Sequence, residues 1–495
     1  MAIGPDSKAA QVAFRRFGFG PRGGAFDLAR AASDPRGFLK SELQQPAITQ
    51  LDAPTLPPTK IALQAVFIDQ QQRKLDRQNV AEGKMPLATS IAPVSTGHTD
   101  DPARMMATSG PQDTSRQNNA SKPAEPPVTQ KFFRADAMAR FRCVLHAEVG
   151  FTERLVHFWS NHFCVSAAKG PVRAIAGSFE REAIRPHVLG RFADMLRAVE
   201  QHPAMLFYLD NAQSFGPHSK AGQNRKRGLN ENLAREILEL HTLGVDGGYT
   251  QADVTTLARI LTGWTFAGRE GKLAEPGTFV FFANAHEPGD QTLLGKVYRA
   301  GGVEQGEAAL ADLARHAATA RHIVRKLAHH FVADNPPDSL VAKLEKVFRD
   351  TDGDLKSVSV ALIDADEPWT TPLSKMRTPE EFMLAALRAI DRMPDDPGPI
   401  LGPLGAMGMP LWQPPGPNGW PDTVDAWASA EGMKSRLDAS AAIAARVKNL
   451  INPSELLDTV AGEAASSETR QAVARAESRQ QGLALLLMSP EFQRR

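Results

Sequence analysis

Cysteine is scarce in this sequence, which has only Cys143 and Cys164 among its 495 residues. Two cysteines are too few for a disulfide framework, and their spacing matches no zinc-binding module. The sequence also lacks a net charge of either sign, since 57 Lys and Arg residues oppose 56 Asp and Glu residues. A dedicated nucleic-acid-binding protein usually carries a large basic excess. We therefore expect neither a disulfide-stapled fold nor a nucleic-acid partner.

Long hydrophobic runs are missing as well. No stretch reaches the roughly 18 uncharged apolar residues that a membrane-spanning helix needs, so we expect no membrane span. The first residues include basic side chains but lack the apolar stretch of about 7–15 residues that marks a secretory signal. The expected compartment is therefore the cytoplasm, with a trimmed signal or export together with a partner protein as the alternatives.

Aromatic residues are absent from residues 79–130, a stretch with seven prolines and many Ser, Thr, Asn and Gln residues. Such a composition cannot bury enough apolar surface to offset the entropy lost on ordering. We predict a disordered insertion over 79–130. It separates an N-terminal helical segment over 1–78 from a main helical domain over 131–495.

The sequence is rich in segments with helical periodicity. Apolar residues recur every three or four positions through most of the main domain, which is typical of amphipathic helices. Residues 275–300 hold the only convincing strand-like sequence and predict a small β-hairpin. The predicted fold class is mainly α: a multi-helix orthogonal or bundle-like domain with a small β-hairpin and a disordered insertion.

The most informative predicted helix lies between Asn230 and Gly244. Asn230 is a favourable N-cap, and Gly244 is a natural stop at the C-terminal end. Within this helix, Glu231 precedes Arg235 by four residues, the order that favours an ordinary ion pair on a helix surface. The next helix begins with the pattern of a capping box. Thr250 is the cap, and the Asp253 side chain accepts a hydrogen bond from the backbone N–H of Thr250.

Several sequence blocks together resemble the bacterial family named domain of unknown function 1800. In chain order the matching blocks are Arg16–Pro21, His157–Phe163, Arg185–Gly190, Met205–Asn211, Asn230–Leu240, Tyr249–Val254, Leu261–Trp264, His286, Leu294–Lys296, Ala320–Leu327 and Asn418–Pro421. They cover most of the chain outside the predicted insertion. The resemblance implies a largely helical fold and supplies no activity. This sequence departs from the family pattern at two positions. His241 stands where the family usually has Phe, and Glu287 stands where it usually has Asp.

Residue types that bind metals occur in three of these blocks. Glu236 and Glu239 are three apart on one helical face, where two carboxylates can coordinate a hard cation or one can act as a general base. His162 lies in the aromatic–histidine block, and His286 lies in a loop after the strand-like sequence. If the fold brings these four together, they form a set of histidine and carboxylate ligands suited to zinc, iron or manganese.

Two neighbouring polar residues would then orient the ligands, namely Asn161 and Arg235. Each element of this hypothesis has a plainer interpretation. A histidine on a helix is often a packed core residue, and a Glu-x-x-Glu pair is often a solvated surface or part of an ion-pair network.

Three tryptophans, Trp412, Trp420 and Trp427, surround a proline-rich loop over 410–422. Their rings provide either a stacking surface for a flat or sugar-like ligand or anchors for a long loop, and we favour the anchors. Arg185, Arg325 and Lys326 similarly either contact an anionic ligand or lie solvated at the surface, and we favour solvation.

Two function classes follow from these patterns, and whether the protein is an enzyme is left open. The sequence has no P-loop, no nucleophile elbow and no His-Glu-x-x-His motif. The first class is a metal-dependent enzyme, hydrolytic or oxidative, with Glu236 and Glu239 as catalytic residues. The second is a non-catalytic binding or scaffold protein, whose Glu, Arg and His residues form a buried structural network. The partner is an unidentified small molecule or protein.

Overall fold

The computed structural model describes residues 7–22, 31–45, 48–51, 53–81, 125–225, 228–447 and 450–495. Up to the strands, its helices are Ser7–Val12, Ala13–Phe17, Pro35–Glu42, Thr59–Ala81, Val128–His146, Phe151–His162, Val172–Phe179, Glu180–Ile184, Arg185–His187, Phe192–Glu200, Pro203–Tyr208, Asn211–Gln213, Lys220–Arg225, Asn232–Glu236, Ile237–His241 and Gln251–Ile260. Three of these, Ala13–Phe17, Glu180–Ile184 and Ile237–His241, are single π-helical turns that continue an α-helix.

The remaining helices follow the strands, apart from a short turn between them at Ala283–Ala285. They are Val303–Arg315, Ala317–Phe331, Asp338–Asp350, Leu355–Asp364, Glu367–Thr370, Pro379–Ala389, Gly398–Ala406, Val424–Trp427, Ala430–Val447, Pro453–Val460, Gly462–Ala464, Ser467–Ala474, Arg479–Met488 and Pro490–Gln493. The mainly α fold class is confirmed. Among the described residues, no helix has both the length and the apolar character needed to cross a bilayer.

Two small antiparallel sheets interrupt the helices. The predicted hairpin is present as Gln291–Leu293 paired with Lys296–Tyr298. A second pair joins Trp264–Phe266 with Phe279–Phe281. Its second strand lies within the predicted strand-like region, whereas its first strand was not predicted. That strand follows the helix Gln251–Ile260 almost directly, and the turn is made at Gly263, whose φ of 84° favours glycine. A three-residue strand gives too little periodicity to be identified from sequence.

The predicted insertion differs from the structure at its edges. The helix Thr59–Ala81 continues past residue 78, and the helix Val128–His146 begins before residue 131. The segment expected to be disordered is therefore shorter than 79–130 at both ends. Its central part, residues 82–124, lies outside the described residues, so disorder there stays a prediction.

The helix Phe151–His162 lies at the centre of the fold. The left-handed Gly150, with φ of 89°, separates it from the preceding helix. Backbone N–H groups at its N-terminal end, which have no partner within the helix, are capped by Glu42 from a distant part of the sequence. The Glu42 carboxylate accepts from Gly150 N at 3.1 Å and from Thr152 N at 2.8 Å. Trp159, only 1% exposed, packs against Phe163 and other core rings. The helix is thus held rigidly from its start.

Of the predicted end signals near residues 230–253, the capping box is confirmed. The preceding helix is shorter than predicted, because it begins at Asn232 with Glu231 as its N-cap and ends at His241 with Thr242 as its C-cap. The Asn230 side chain accepts from Asn232 N at 2.9 Å, and Gly244 has a φ of 87°. Thr250 and Asp253 form both bonds of the capping box. These bonds are local in sequence, which is why the sequence indicates them.

Candidate functional site

A buried network of charged side chains surrounds the central helix. Glu381 accepts from the guanidinium of Arg154 and, at 2.8 Å, from Arg495 Nε. Arg495 Nη2 also lies 3.2 Å from Asp422 Oδ1. Burial alone would raise the pKa of Glu381, but the facing Arg154 and Arg495 lower that pKa to about 2. The carboxylate is therefore an ionised partner held between two cations.

His330 belongs to the same network and has no free nitrogen. Its Nδ1 donates to Asp422 Oδ2 at 2.6 Å, and its Nε2 accepts from Arg154 Nη2 at 3.1 Å. Burial lowers the pKa of His330 to about 4, against the opposing effect of Asp422. The ring is neutral at pH 7, and its two bonds fix its tautomer. Lys375 adds a further cation, 3.2 Å from Asp422 Oδ1.

A second set of buried ion pairs lies on the other side of the helix. Arg185 forms two bonds of 2.8 Å with the carboxylate of Glu153 and lies 3.2 Å from Glu180. Arg140 pairs with Glu180 and, at 3.0 Å, with Glu380. Because these charges are matched with one another inside the protein, they contribute to a fixed arrangement of helices.

A small cavity lies between this network and the loop 410–422. We call it the His157 cavity; it has a volume of about 70 Å³, and its lining includes His157, Cys164, Glu380, Trp412 and Trp420. Burial, followed by the nearby Arg140, lowers the pKa of His157 well below 6.5, so the ring is neutral. Burial also raises the pKa of Cys164 to about 12, which makes this thiol a poor nucleophile.

A larger pocket adjoins this cavity across the segment from Trp420 to Asp422. We call it the lysine pocket; it has a volume of about 360 Å³, and its lining includes Phe158, Asn161, His162, Arg325, Lys326 and Trp420. Lys326 Nζ donates to His162 Nδ1 at 2.9 Å, while His162 Nε2 donates to the backbone oxygen of His241 at 3.2 Å. Both nitrogens of His162 are therefore engaged.

Lys326 is the unusual group of the lysine pocket. Within the part of the chain that the structure describes, no carboxylate lies within ion-pair distance of its ammonium group, and His162 is its one hydrogen-bond partner. Burial lowers the pKa of Lys326 to about 8. The ammonium is thus mostly charged at pH 7, in a position where burial disfavours that charge.

A further cation, Arg325, and a histidine, His329, line the same pocket. Arg325 lines it and forms an exposed ion pair with Asp338 at 2.9 Å. His329 faces two backbone oxygens, that of Asp334 at 2.9 Å and that of Asp422 at 2.6 Å. Both ring nitrogens of His329 therefore face backbone oxygens. The one carboxylate in the lining, Asp422, is already paired with His330, Lys375 and Arg495.

The loop that separates the two cavities is held by specific bonds. The Asn161 side chain accepts from Trp420 N at 2.7 Å and donates to Trp420 O at 2.9 Å. The indole of Trp427 donates to Pro421 O at 2.8 Å. Trp427 therefore acts as an anchor for the loop, as we favoured from the sequence. Trp412 and Trp420 instead line the cavities.

The predicted site residues on the Asn230 helix lie apart from these bonds. Arg235 pairs with Glu231 at 3.3 Å, the ordinary helix pair that the sequence also allowed. Glu239 accepts from the Tyr249 hydroxyl at 3.4 Å. Glu236 is half-buried, and burial raises its pKa while the nearby His241 opposes that rise. Of the predicted set, only Asn161 and His162 line the lysine pocket.

His286 has a separate environment. Its Nδ1 donates to the backbone oxygen of Thr262 at 2.9 Å, and its ring packs edge-on against Phe281. Across the described ranges, no group of three or more His, Cys, Asp or Glu side chains is arranged to hold a metal ion. Metal binding by His162, Glu236, Glu239 and His286 therefore stays a prediction without geometric support.

Sequence reasoning missed most of the buried network. One local signal was available for Glu381, because Thr378 and Glu381 have the spacing of a capping box and do form one. Asp422 follows directly after the block Asn418–Pro421. Arg495 and Arg154 gave no signal, since their partners lie 114 and 227 residues away in sequence.

Three of the blocks that carry the family resemblance meet at the lysine pocket, namely His157–Phe163, Ala320–Leu327 and Asn418–Pro421. A family model described as "Protein of unknown function (DUF1800)" matches residues 12–494. Comparisons with curated proteins and with solved structures found no match. Since the family model spans nearly the whole chain, the protein belongs to the DUF1800 family.

Proposed function

We propose that this protein binds a small molecule carrying an acidic group, with that group paired to Lys326 in the lysine pocket. The observation that carries the proposal is the ammonium of Lys326, which is partly buried beside His162 and has no carboxylate partner among the described residues. A buried charge without a counter-ion is costly, and an anion supplied by a ligand would remove that cost.

The shape and lining of the pocket support a small organic anion. A volume of about 360 Å³ falls in the range of small-molecule sites. Phe158, Trp420 and Pro421 provide apolar surface for the body of a ligand, while Arg325 adds positive charge near Lys326. A carboxylate or phosphate group on an apolar body matches this combination.

The bonding of the surrounding residues favours binding over catalysis. His162 and His330 have both ring nitrogens engaged, and the Asn161 amide is occupied by the backbone of Trp420. None of these three side chains therefore presents a free donor or acceptor to a ligand. We infer that the charged network serves as a rigid support, which corresponds to the second function class considered for the sequence.

A calorimetric titration tests the proposal, with benzoate and inorganic phosphate as probes. A charge-assisted hydrogen bond contributes about 1.5–3 kcal/mol, so Lys326→Met should weaken binding by about 10- to 100-fold. Lys346→Met is the matched control, because Lys346 is exposed and pairs with Asp350. Absence of binding by the native protein, or equal affinities in the native protein and Lys326→Met, would overturn the proposal.

A metal-dependent enzyme that uses His162, Glu236, Glu239 and His286 is the second candidate. The observation in its favour is Glu236, a half-buried carboxylate whose raised pKa suits a general base. Elemental analysis of protein purified without chelator tests it. Stoichiometric zinc, iron or manganese that is lost in both His162→Ala and Glu236→Gln would favour this candidate. A metal content below stoichiometry in the native protein would reject it.

A further inference from the structure

The His157 cavity contains two polar groups that the protein leaves unpaired. The His157 side chain is 8% exposed, and its Nε2 is buried without a hydrogen-bond partner among the described residues. The indole Nε1 of Trp412, which also lines the cavity, is buried without a partner as well. Buried polar groups are nearly always hydrogen-bonded, so two such groups around one cavity need a ligand or water.

The chemistry of the two groups is complementary. His157 Nδ1 lies 3.8 Å from Glu380 Oε2, and this carboxylate favours a proton on Nδ1. Nε2 is then a hydrogen-bond acceptor, whereas the indole of Trp412 is only a donor. A group that both donates and accepts, such as a hydroxyl, satisfies the pair.

The surroundings of the cavity favour a neutral occupant. The charged side chains in its lining are already matched: Arg140 with Glu380, and Asp422 with His330. Val165, Met409 and Leu411 supply apolar walls. A volume of about 70 Å³ exceeds the space that one water molecule requires and admits a group of a few heavy atoms.

We infer that the His157 cavity is a binding site for a neutral hydroxylated group, carried by a short alcohol or by the end of a larger molecule. The hydroxyl hydrogen bonds to His157 Nε2, and a hydroxyl oxygen accepts from Trp412 Nε1. This site is distinct from the lysine pocket, because it involves neither Lys326 nor a charge on the ligand.

Fluorine NMR of protein labelled with 5-fluorotryptophan tests the inference, since the sequence has only six tryptophans. Ethylene glycol is the probe, and Trp412→Phe assigns the Trp412 resonance. We expect this resonance to shift and saturate as ethylene glycol is added. The Trp427 resonance is the internal control, because its indole already donates to Pro421 O at 2.8 Å. Acetonitrile can accept from Trp412 Nε1 but cannot donate to His157 Nε2, so its effect on the Trp412 resonance should saturate only at a much higher concentration than that of ethylene glycol.

Two variants complete the test. His157→Phe should abolish the saturable response, and His157→Gln, which keeps a hydrogen-bonding side chain, covers the case in which the Phe variant fails to fold. Lys326→Met should leave the response unchanged, so this inference and the proposed anion site succeed or fail separately. The inference is overturned if the Trp412 resonance never saturates with ethylene glycol, if acetonitrile saturates it at the same concentration as ethylene glycol, or if Lys326→Met removes the response.

Discussion

Glu381 illustrates how single residues fix the interior of this molecule. Its carboxylate accepts from Arg154, from Arg495 and from the backbone N of Thr378, and its side chain is 5% exposed. Replacing one partner in such a set leaves the others as buried charges without compensation. The contribution of Glu381 is therefore larger than that of a surface ion pair.

Glu381→Gln should lower the free energy of unfolding by about 3–5 kcal/mol, because Arg154 and Arg495 lose the carboxylate between them. Urea unfolding followed by tryptophan fluorescence measures the change. Glu275→Gln is the matched control, because it removes the carboxylate of an exposed pair with Lys60 and should cost less than about 1 kcal/mol. Similar losses in the two variants would show that the network does not stabilise the fold.

His322 predicts a dependence of stability on pH. Burial, followed by the nearby Lys326, lowers the pKa of this ring to about 4 in the folded protein. Between pH 6.5 and pH 4 the unfolded chain binds a proton at this residue that the folded chain does not bind. Stability should therefore fall as the pH is lowered through this window, by ~2 kcal/mol at pH 5 from His322 alone.

The measurement is urea unfolding at pH 7.5 and at pH 5. His322→Gln keeps a donor for the backbone oxygen of Leu240, which the ring contacts at 3.1 Å, and removes the titrating group. The variant should lose less stability than the native protein between the two pH values. An unchanged difference would contradict the assignment.

At the scale of elements, the segment 418–422 determines the geometry of both cavities. Gly419 has a φ of 78°, and a Cβ atom there would lie 2.5 Å from the backbone oxygen of Asn161. Both features require glycine at this position. The close approach lets Trp420 form its two bonds with the Asn161 side chain.

Gly419→Ala should destabilise the protein by more than about 1 kcal/mol, because the chain must move away from Asn161. The control is Gly405→Ala, in the helix Gly398–Ala406, where no atom lies within 4 Å of the added Cβ. This control should be neutral or stabilising by about 0.5–1 kcal/mol. Thermal unfolding of both variants provides the comparison, and equal effects would contradict the role given to the segment.

Sequence predicts these elements well where the determining contacts are local. The capping box of Thr250 and the ion pair of Glu231 with Arg235 each involve residues three or four positions apart in the chain. The strand Trp264–Phe266 was not predicted because three residues show too little alternation to be identified, even though its partner Phe279–Phe281 follows soon after it. Glu42 likewise caps a helix that begins more than a hundred residues later.

At the scale of the whole molecule, the candidate site was only partly predictable. Asn161 and His162 were identified from the aromatic–histidine block, and both line the lysine pocket. Lys326 was interpreted as a solvated surface charge, because its contact with His162 spans 164 residues and leaves no local pattern. Lys326 stands out because no carboxylate among the described residues lies within ion-pair distance of its ammonium group. A sequence does not show which carboxylates lie near a given lysine.

The most direct test of the central claim is a crystal structure of the protein soaked with 4-bromobenzoate, whose bromine can be located by its anomalous scattering. Our account predicts a bromine peak in the lysine pocket, with the carboxylate within hydrogen-bond distance of Lys326 Nζ, and a much weaker peak in Lys326→Met crystals soaked at the same concentration. A pocket without bromine at saturating concentration, or an equal peak in the variant, would contradict it.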